Sequence, residues 1–300
     1  MNPVASLDRL TIVGDVDGAW RSDRGEARGD FAYVHEICES VVGPSAAAYP
    51  YQYAYNLTGG GYVAFARGGA RVPAVRIDLN PNKLDADSPV RAILDLLFDT
   101  RCTRLDVAVD YPDKVVGEWA PIGRSGKRFT VQARNGRVET QMVGARSSAR
   151  QLVVYDKVAD CKAKKEPIPW GCEGPLMRVE ARQRLKPADG SSVLSPDMMD
   201  DVELLDRGAT FEGLKLRDRA MLEYLARHPE ARGELLPDQR RRLDSLAGVQ
   251  AGSTIQPSPS MVYREHLPAL REQYFATLGG GGGGGSRLPL DWCQTGTISL

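Results

Sequence analysis

Three stretches of the sequence place ionisable side chains on alternate residues, as one face of a β-strand does. In RLDVAVD (104–110), Asp106 and Asp110 flank the small residue Ala108 on the same face. Two carboxylates around a small side chain offer the oxygen ligands that Mg²⁺ or Mn²⁺ prefers. The polar face of a half-buried antiparallel strand carries the same alternation, so both interpretations stay open at this point.

The second stretch, RQLVVYDK (150–157), ends with a phenol and an amine two residues apart. A phenol is a poor nucleophile near neutral pH because its pKa is about 10, and a neighbouring cation favours the phenolate. Lys157 could supply that positive charge to Tyr155 or hold a phosphate. A tyrosine at a sheet surface also serves as an amphipathic packing residue, which is the alternative interpretation.

The third stretch, LMRVEARQR (176–184), alternates polar and apolar residues as a strand does. Arg178, Glu180 and Arg182 share one face of that strand. A carboxylate between two arginines forms either a surface ion pair, which contributes little to stability, or a third metal ligand beside phosphate-binding groups.

Strands must hold these three polar faces, and hydrophobic patterns predict strands along most of the first 187 residues. The predicted strands cover residues 10–16, 51–57, 62–67, 75–79, 104–110, 129–134, 138–144, 150–157 and 176–184, and the predicted helices cover 31–42 and 90–98. Each half begins with one strand, continues through a connecting segment and ends with several more strands. We therefore predict an α+β fold of tandem duplicated α/β units with two mainly antiparallel sheets.

Two local signals fix positions within this pattern. Ser88-Pro89 supplies an N-cap and a first-turn proline for the helix at 90–98. Asn135-Gly136 is a tight-turn dipeptide between the strands at 129–134 and 138–144, which predicts a paired ribbon.

The pattern changes after about residue 197, where helical periodicity replaces strand alternation. We predict four segments: an N-terminal α+β half at 1–100, a catalytic α+β half at 101–190, a helical C-terminal region at 191–278, and a flexible tail at 279–300. Seven consecutive glycines at 279–285 begin the tail, and such a run favours flexibility because glycine loses the most conformational freedom on ordering.

Charge is unevenly distributed in a chain whose formal net charge is +0. Residues 101–187 contain 18 Lys and Arg against 10 Asp and Glu, a difference of 18 − 10 = +8 that the flanking parts balance. A basic middle is compatible with phosphate binding, and equally with a solvated charged surface. The scattered cysteines, the acidic N-terminus and the lack of a long apolar run predict a cytoplasmic protein without a membrane span.

The order of the motifs and their residue types resemble those of a known family, the replication initiation factors of rolling-circle plasmids and some filamentous phages. The matching stretches are CTRLDVAVD (102–110), VETQMVGARSSARQLVVYDKVAD (138–160) and LMRVEARQR (176–184). The family has an Arg-x-Asp-x-Ala-x-Asp strand, a glycine-serine segment leading to a strand that ends in Tyr-Asp/Asn-Lys, and an Arg-Val-Glu strand. The resemblance covers roughly residues 10–187 and is strongest over 100–184.

This resemblance implies an enzyme that nicks and rejoins DNA at a replication origin. A tyrosine attacks a phosphodiester and leaves a 5′-phosphotyrosine link and a free 3′-hydroxyl. By motif position, Tyr155 would be the nucleophile with Lys157 beside it, and a divalent metal (Mg²⁺ or Mn²⁺) would be bound by Asp106, Asp110 and Glu180. The residues implied to bind DNA phosphates are Arg104, Arg150, Arg178 and Arg182, with double-stranded origin DNA and single-stranded DNA as ligands.

Several alternatives stay open. Tyr111 directly follows Asp110 and is a rival nucleophile that spacing alone does not exclude. The chain has only three histidines, His35, His228 and His266, all isolated, so the His-x-His metal site of another nickase class is absent from the sequence. A non-catalytic DNA-binding replication or regulatory protein is the second hypothesis. A host helicase and a second copy of the chain are further possible partners.

Overall fold

The structure is a computed structural model, and it describes most of the chain up to residue 278. The described ranges are 1–17, 20–21, 26–27, 30–41, 43–45, 50–57, 61–65, 72–84, 88–122, 127–185, 193–208, 214–249 and 254–278. The predicted glycine-rich tail at 279–300 lies outside these ranges.

The described residues form fourteen strands, six α-helices and four short 3-10 turns. The strands are β1 (Val4–Asp15), β2 (Trp20–Arg21), β3 (Glu26–Ala27), β4 (Gly43–Pro44), β5 (Tyr53–Leu57), β6 (Gly61–Phe65), β7 (Val75–Leu79), β8 (Phe98–Pro112), β9 (Trp119–Ile122), β10 (Arg128–Gln132), β11 (Val138–Val143), β12 (Arg150–Asp156), β13 (Leu176–Arg184) and β14 (Glu203–Asp206). The helices are α1 (Asp30–Val41), α2 (Pro89–Leu96), α3 (Lys157–Lys164), α4 (Leu216–Arg227), α5 (Pro237–Val249) and α6 (Pro259–Thr277). The 3-10 turns are Pro81–Lys83, Val116–Glu118, Pro169–Gly171 and Pro229–Glu234.

The chain forms two compact units, each assembled from segments that are distant in sequence. The first unit consists of Leu7–Asp106, Arg184–Leu194 and the described residues from Pro268 onward. The second unit consists of Met1–Ser6, Val107–Gln183 and Ser195–Leu267. The functional division predicted at residues 1–100, 101–190, 191–278 and 279–300 stays a prediction.

The first unit is built on antiparallel strands in the order β8-β1-β7-β6-β5-β4, with β8 contributing its residues up to Asp106. Strand β1 pairs with β7 so that Thr11 lies opposite Asp78 and Ile12 opposite Ile77. Apolar side chains on one face, such as Ile12 and Ile77, are fully buried. Helix α2 begins where the sequence predicts, because Ser88 caps it and Pro89 occupies its first position.

The second unit is built on antiparallel strands in the order β10-β11-β12-β13-β8, with β8 contributing its residues from Val107. A small second sheet pairs β9 with β14, and its Ile122 and Leu205 join α4 and α5 in a buried apolar cluster. The predicted Asn135-Gly136 turn connects β10 and β11, with Gly136 at φ +81.

Both units repeat one strand order. In the first unit β1 is followed outward by β7, β6, β5 and β4, and in the second unit β8 is followed outward by β13, β12, β11 and β10, so an early strand lies next to a late one and the rest follow in reverse chain order. The predicted mixed α/β fold with mainly antiparallel strands is confirmed, with one large sheet and small two-stranded sheets.

Two local predictions are wrong. Residues 203–206 form strand β14, not a helix, because Leu204 and Leu205 pair with β9 and are buried there. The sequence pattern did not indicate this strand, because four residues are too few to show the alternation of a strand. Strand β12 ends at Asp156, so Lys157 is the first residue of helix α3.

None of the helices in the described residues is both long enough and apolar enough to cross a membrane.

Candidate active site

Strands β12 and β13 of the second unit bring the predicted tyrosine and arginines to one face. In their antiparallel register Tyr155 lies opposite Arg178, Val153 opposite Glu180, and Gln151 opposite Arg182. Directly opposed residues in an antiparallel pair project to the same side of the sheet, with Cβ atoms about 4.5–5.5 Å apart. The predicted shared face of Tyr155, Arg178 and Glu180 is thus present in the structure.

Strand β8 adds Asp110 to this face through an ion pair. Arg178 donates from Nε to Oδ1 of Asp110 and from Nη2 to Oδ2, both at 2.6 Å. The side chains are 6% and 0% exposed, so the pair is buried on both sides. Two parallel hydrogen bonds between a guanidinium and a carboxylate compensate the charge of each group where water cannot.

A second guanidinium holds Glu180 on the same strand. Arg182 donates from Nε to Oε1 of Glu180 at 2.6 Å and from Nη2 to Oε2 at 3.3 Å. Glu180 is buried, whereas the Arg182 side chain is 33% exposed. Arg182 is thus partly open to solvent, opposite Gln151 and four residues along β13 from Arg178.

Tyr155 itself is half-buried, and a lysine lies over its ring. The Nζ atom of Lys157 is 6.0 Å from the ring centroid, at the outer limit for a cation–π contact. Lys157 also donates to Asp160 one helical turn later at 3.2 Å. The predicted neighbourhood of Tyr155 and Lys157 is present, although the strand does not extend to Lys157 as expected.

Helix α3 fixes this lysine in place. Asp156 caps the helix by accepting a hydrogen bond from the Ala159 amide at 2.9 Å. Burial raises the pKa of Asp160, but Lys164 and Lys157 outweigh that effect and hold the pKa below its ordinary value. Asp160 was not predicted as part of the site; its spacing from Lys157 in KVADCKAK, three residues on a helix, is the signal that could have indicated it.

The rival tyrosine has a different environment. Tyr111 is almost fully buried, and its hydroxyl donates to the carbonyl of Pro257 at 3.0 Å. Burial raises the pKa of Tyr111 far above its ordinary value. A buried phenol that donates to a backbone carbonyl is positioned to stabilise the fold, whereas Tyr155 is half-buried.

The other two predicted phosphate-binding arginines, Arg150 and Arg104, are held by carboxylates of their own units. Arg150 projects from the opposite face of β12, since the two positions are an odd number of residues apart, and it donates to the Met198 carbonyl and to the Asp201 carboxylate. Arg104 belongs to the first unit, where it donates to both carboxylate oxygens of Asp106 at 2.8 and 2.6 Å.

The three predicted metal ligands share one property: each carboxylate accepts two hydrogen bonds from a guanidinium. Arg104 holds Asp106, Arg178 holds Asp110 and Arg182 holds Glu180. Over the described ranges, no group of three His, Cys, Asp or Glu side chains is placed to bind one metal ion. As arranged, these carboxylates do not fit a divalent ion, and binding one would require the guanidinium groups to move.

Comparison with known proteins shows that the chain is similar to replication initiation proteins. A replication initiation protein of Staphylococcus aureus is 30% identical over 52% of this chain and 48% of its own length. A second replication initiation protein of Staphylococcus aureus is 28% identical over 51% of this chain and 51% of its own length. The resemblance to replication initiation proteins stated from the motifs is confirmed. The chain spans about half the length of the curated relatives it matches.

A solved structure, the rolling circle replication initiator protein from Geobacillus stearothermophilus, aligns with 85% of this chain and 100% of its own chain at a TM-score of 0.42 and 15% identity. No family model matches the chain.

Proposed function

We propose that this chain nicks and rejoins DNA at a replication origin and so initiates rolling-circle replication through a 5′-phosphotyrosine intermediate on Tyr155. The observation that supports this proposal most directly is the position of Tyr155, half-buried and opposite Arg178 on the face that also carries Glu180. The replication initiation proteins to which the chain is similar support the biological setting.

The proposed reaction is a transesterification. The Tyr155 oxygen loses its proton and forms a bond to phosphorus, the bond from phosphorus to the 3′-oxygen breaks, and the 3′-oxygen gains a proton from solvent. The reverse reaction, in which the 3′-hydroxyl attacks the phosphotyrosine, rejoins the strand without an external energy source because the phosphoester is conserved.

The surrounding cations have separate roles in this proposal. Arg178 lies opposite Tyr155 and is held by Asp110, and Lys157 lies over the ring, so these two cations position the attacking phenol. Half-exposed Arg182 contacts the phosphate of the bound strand, since a guanidinium offers phosphate two parallel hydrogen bonds. Arg150 and Arg104, which lie elsewhere, have no assigned step.

The metal requirement implied by the resemblance stays a prediction. In the family, a divalent metal would polarise the scissile phosphate. Because guanidinium groups occupy Asp106, Asp110 and Glu180 in the structure, we assign no step of the reaction to a metal ion here. A helicase contact, a homodimer and a cytoplasmic location also stay predictions.

The test is covalent capture of DNA. The chain is incubated with supercoiled DNA that carries its own gene, with Mg²⁺ or Mn²⁺, and the products are resolved on a denaturing gel. We expect Tyr155→Phe to remove both nicking and covalent attachment. The matched control Tyr111→Phe should keep both, and a phosphorylated peptide from the trapped complex should contain Tyr155. A Tyr155→Phe protein that still attaches covalently to DNA would refute the assignment.

A second candidate is a replication protein that binds its origin without cutting. The specific observation in its favour is the pairing of every predicted metal ligand with arginine. A native gel of the same reaction separates the two functions, because a non-catalytic binder retards the DNA and leaves it supercoiled with either metal.

A further inference from the structure

The face that carries Tyr155 continues across β11 to β10, where it becomes apolar and exposed. Val131 on β10 lies opposite Thr140 on β11, and Thr140 lies opposite Tyr155 on β12. In the adjacent row, Phe129 lies opposite Met142, and Met142 lies opposite Val153. We call Phe129 and Val131 the β10 platform.

The β10 platform is exposed although both side chains are apolar. Phe129 is 48% exposed and Val131 is 46% exposed, on the strand that ends the strand order of the second unit. Met142 and Thr140, between the platform and β12, are half-buried. An aromatic ring and a branched aliphatic side chain on one open sheet face offer a flat apolar surface on which a planar ligand can stack.

Charge around the platform favours a polyanionic ligand. The ribbon of residues 127–144 contains four basic residues, Lys127, Arg128, Arg134 and Arg137, and one acidic residue, Glu139. Arg128 donates to the Pro121 carbonyl, and Arg137 pairs with Glu139 and Asp156, so part of this charge is engaged within the protein. An apolar partner protein gains nothing from this positive charge, whereas single-stranded DNA has both stacking faces and phosphates.

Resting on the proposed function, we infer that the β10 platform binds a nucleobase of the single strand whose phosphate Tyr155 attacks. The Phe129 ring stacks on the base, and Val131 packs beside it. Strand β10 lies two strand spacings, about 10 Å, from β12. Stacked nucleotides rise about 3.4 Å each, so the stacked base is within about three nucleotides of the scissile phosphate. Phe129 is thus a positioning residue that sets which phosphate reaches Tyr155.

Binding of single-stranded DNA is the direct test. A fluorescently labelled oligonucleotide of mixed sequence is titrated with the full chain carrying Tyr155→Phe, so that binding is measured without cleavage. In that background Phe129→Ala should weaken binding about tenfold, because base–aromatic stacking contributes that much per base. Phe129→Trp should retain or improve the affinity. Thr130→Ala is the matched control, since Thr130 is exposed on the same strand but projects from the other face, and should bind as the parent does.

Photocrosslinking tests which nucleotide of the bound strand lies against Phe129. Oligonucleotides with single 5-iododeoxyuridine substitutions are irradiated with the chain, and the crosslinked peptide is sequenced by mass spectrometry. We expect a crosslink at Phe129 only from substitutions within about three nucleotides of the position that reacts with Tyr155.

Equal affinity of the Phe129→Ala and parent proteins would overturn the inference. So would a change of sedimentation coefficient in Phe129→Ala without a change of DNA affinity, because that result would assign the open edge of β10 to pairing with a second copy of the chain. These outcomes are separate from failure of the proposed function. Covalent attachment by the Tyr155→Phe protein would refute the nucleophile. The stacking is tested by the difference in affinity between Phe129→Ala and its parent, which carry the same change at Tyr155.

Discussion

The two units share a strand order but place a tyrosine against opposite charges. In the first unit Tyr62 on β6 lies opposite Asp78 on β7. In the second unit Tyr155 on β12 lies opposite Arg178 on β13. Each of these charged residues is itself paired, Asp78 with Arg9 and Arg76, and Arg178 with Asp110. The proposed reaction uses the second arrangement, because a guanidinium can donate hydrogen bonds to a phosphate and a carboxylate cannot.

The units also differ in how they satisfy a buried acid. Asp78 accepts from Arg9 at 2.6 Å, from Thr11 at 2.5 Å and from Arg76 at 3.0 Å. The Arg9 and Arg76 side chains are 39% and 35% exposed, whereas Arg178, which holds Asp110, is 6% exposed. Water can replace Asp78 as a partner of its arginines, but it cannot reach Arg178.

The largest expected effect follows from that difference. Asp110→Ala leaves the Arg178 charge buried without its carboxylate, so we expect it to lower the free energy of unfolding by about 3–5 kcal/mol. Asp78→Ala should cost about 1–2 kcal/mol, because its arginines can turn to solvent. Urea denaturation followed by circular dichroism measures both.

Two controls accompany this pair of variants. Asp238→Ala breaks an ion pair whose side chains are 79% and 91% exposed, and it should change stability by less than about 0.5 kcal/mol. The double variant Asp110→Leu/Arg178→Met should recover most of the loss, because apolar pairs often replace buried ion pairs without cost. Equal costs for Asp110→Ala and Asp78→Ala would show that burial does not distinguish the two units.

Metal binding by the DNA-free chain is the next prediction. Because guanidinium groups hold both oxygens of Asp106, Asp110 and Glu180, we expect Mn²⁺ to bind more weakly than about 1 mM, the weak end of protein sites for divalent ions. Removal of metal by EDTA should leave the urea midpoint unchanged. Electron paramagnetic resonance of added Mn²⁺ measures the affinity. Tight stoichiometric binding would show that the arginines release these carboxylates without DNA.

The pH dependence of stability tests how the first unit stabilises its buried acid, Asp78. Burial raises the pKa of Asp78, but Arg9, Thr11 and Arg76 outweigh that effect and hold the pKa below its ordinary value of 3.8. A lowered pKa in the folded state means that the stabilisation is present above 3.8 and is lost as the pH falls below it. Asp78→Asn should therefore flatten the loss of stability between about pH 5 and about pH 3. Urea midpoints across this interval measure the slope, and an unchanged slope would contradict the prediction.

The smallest expected effect concerns the tyrosines that are not proposed as nucleophiles. Tyr111→Phe removes the hydrogen bond from the buried phenol to the Pro257 carbonyl and should lower the free energy of unfolding by about 1 kcal/mol. Tyr62→Phe, at a half-buried position of the first unit, should change it by less than about 0.5 kcal/mol. Thermal denaturation of both variants measures the two losses of stability. A larger loss for Tyr62→Phe than for Tyr111→Phe would contradict the prediction.

Strand alternation made much of the fold predictable. The strand at 176–184 was predicted with its observed bounds, and the turn at Asn135-Gly136 forms between β10 and β11 as expected. The same period of two correctly placed Arg178, Glu180 and Arg182 on one face. Strand β14 and the end of β12 were missed, because short elements and element boundaries depend on partners that are distant in sequence.

The site was predictable in its residue types but not in its pairings. Sequence order placed Tyr155, Arg178 and Glu180 on polar faces, and spacing along each strand fixed that placement. Spacing could not reveal that Asp110 accepts both hydrogen bonds of Arg178, 68 residues away. It also could not show that Tyr111 is buried against Pro257, 146 residues away.

The amino-acid sequence by itself determined the strands, their polar and apolar faces and the resemblance to replication initiators, because these depend on side-chain periods of a few residues. Only the tertiary structure decided which charges meet, which tyrosine is buried, and that Phe129 on β10 and Tyr155 on β12 share one face of their sheet. Pairing register and burial arise from contacts between segments far apart in the chain, and no local pattern encodes them.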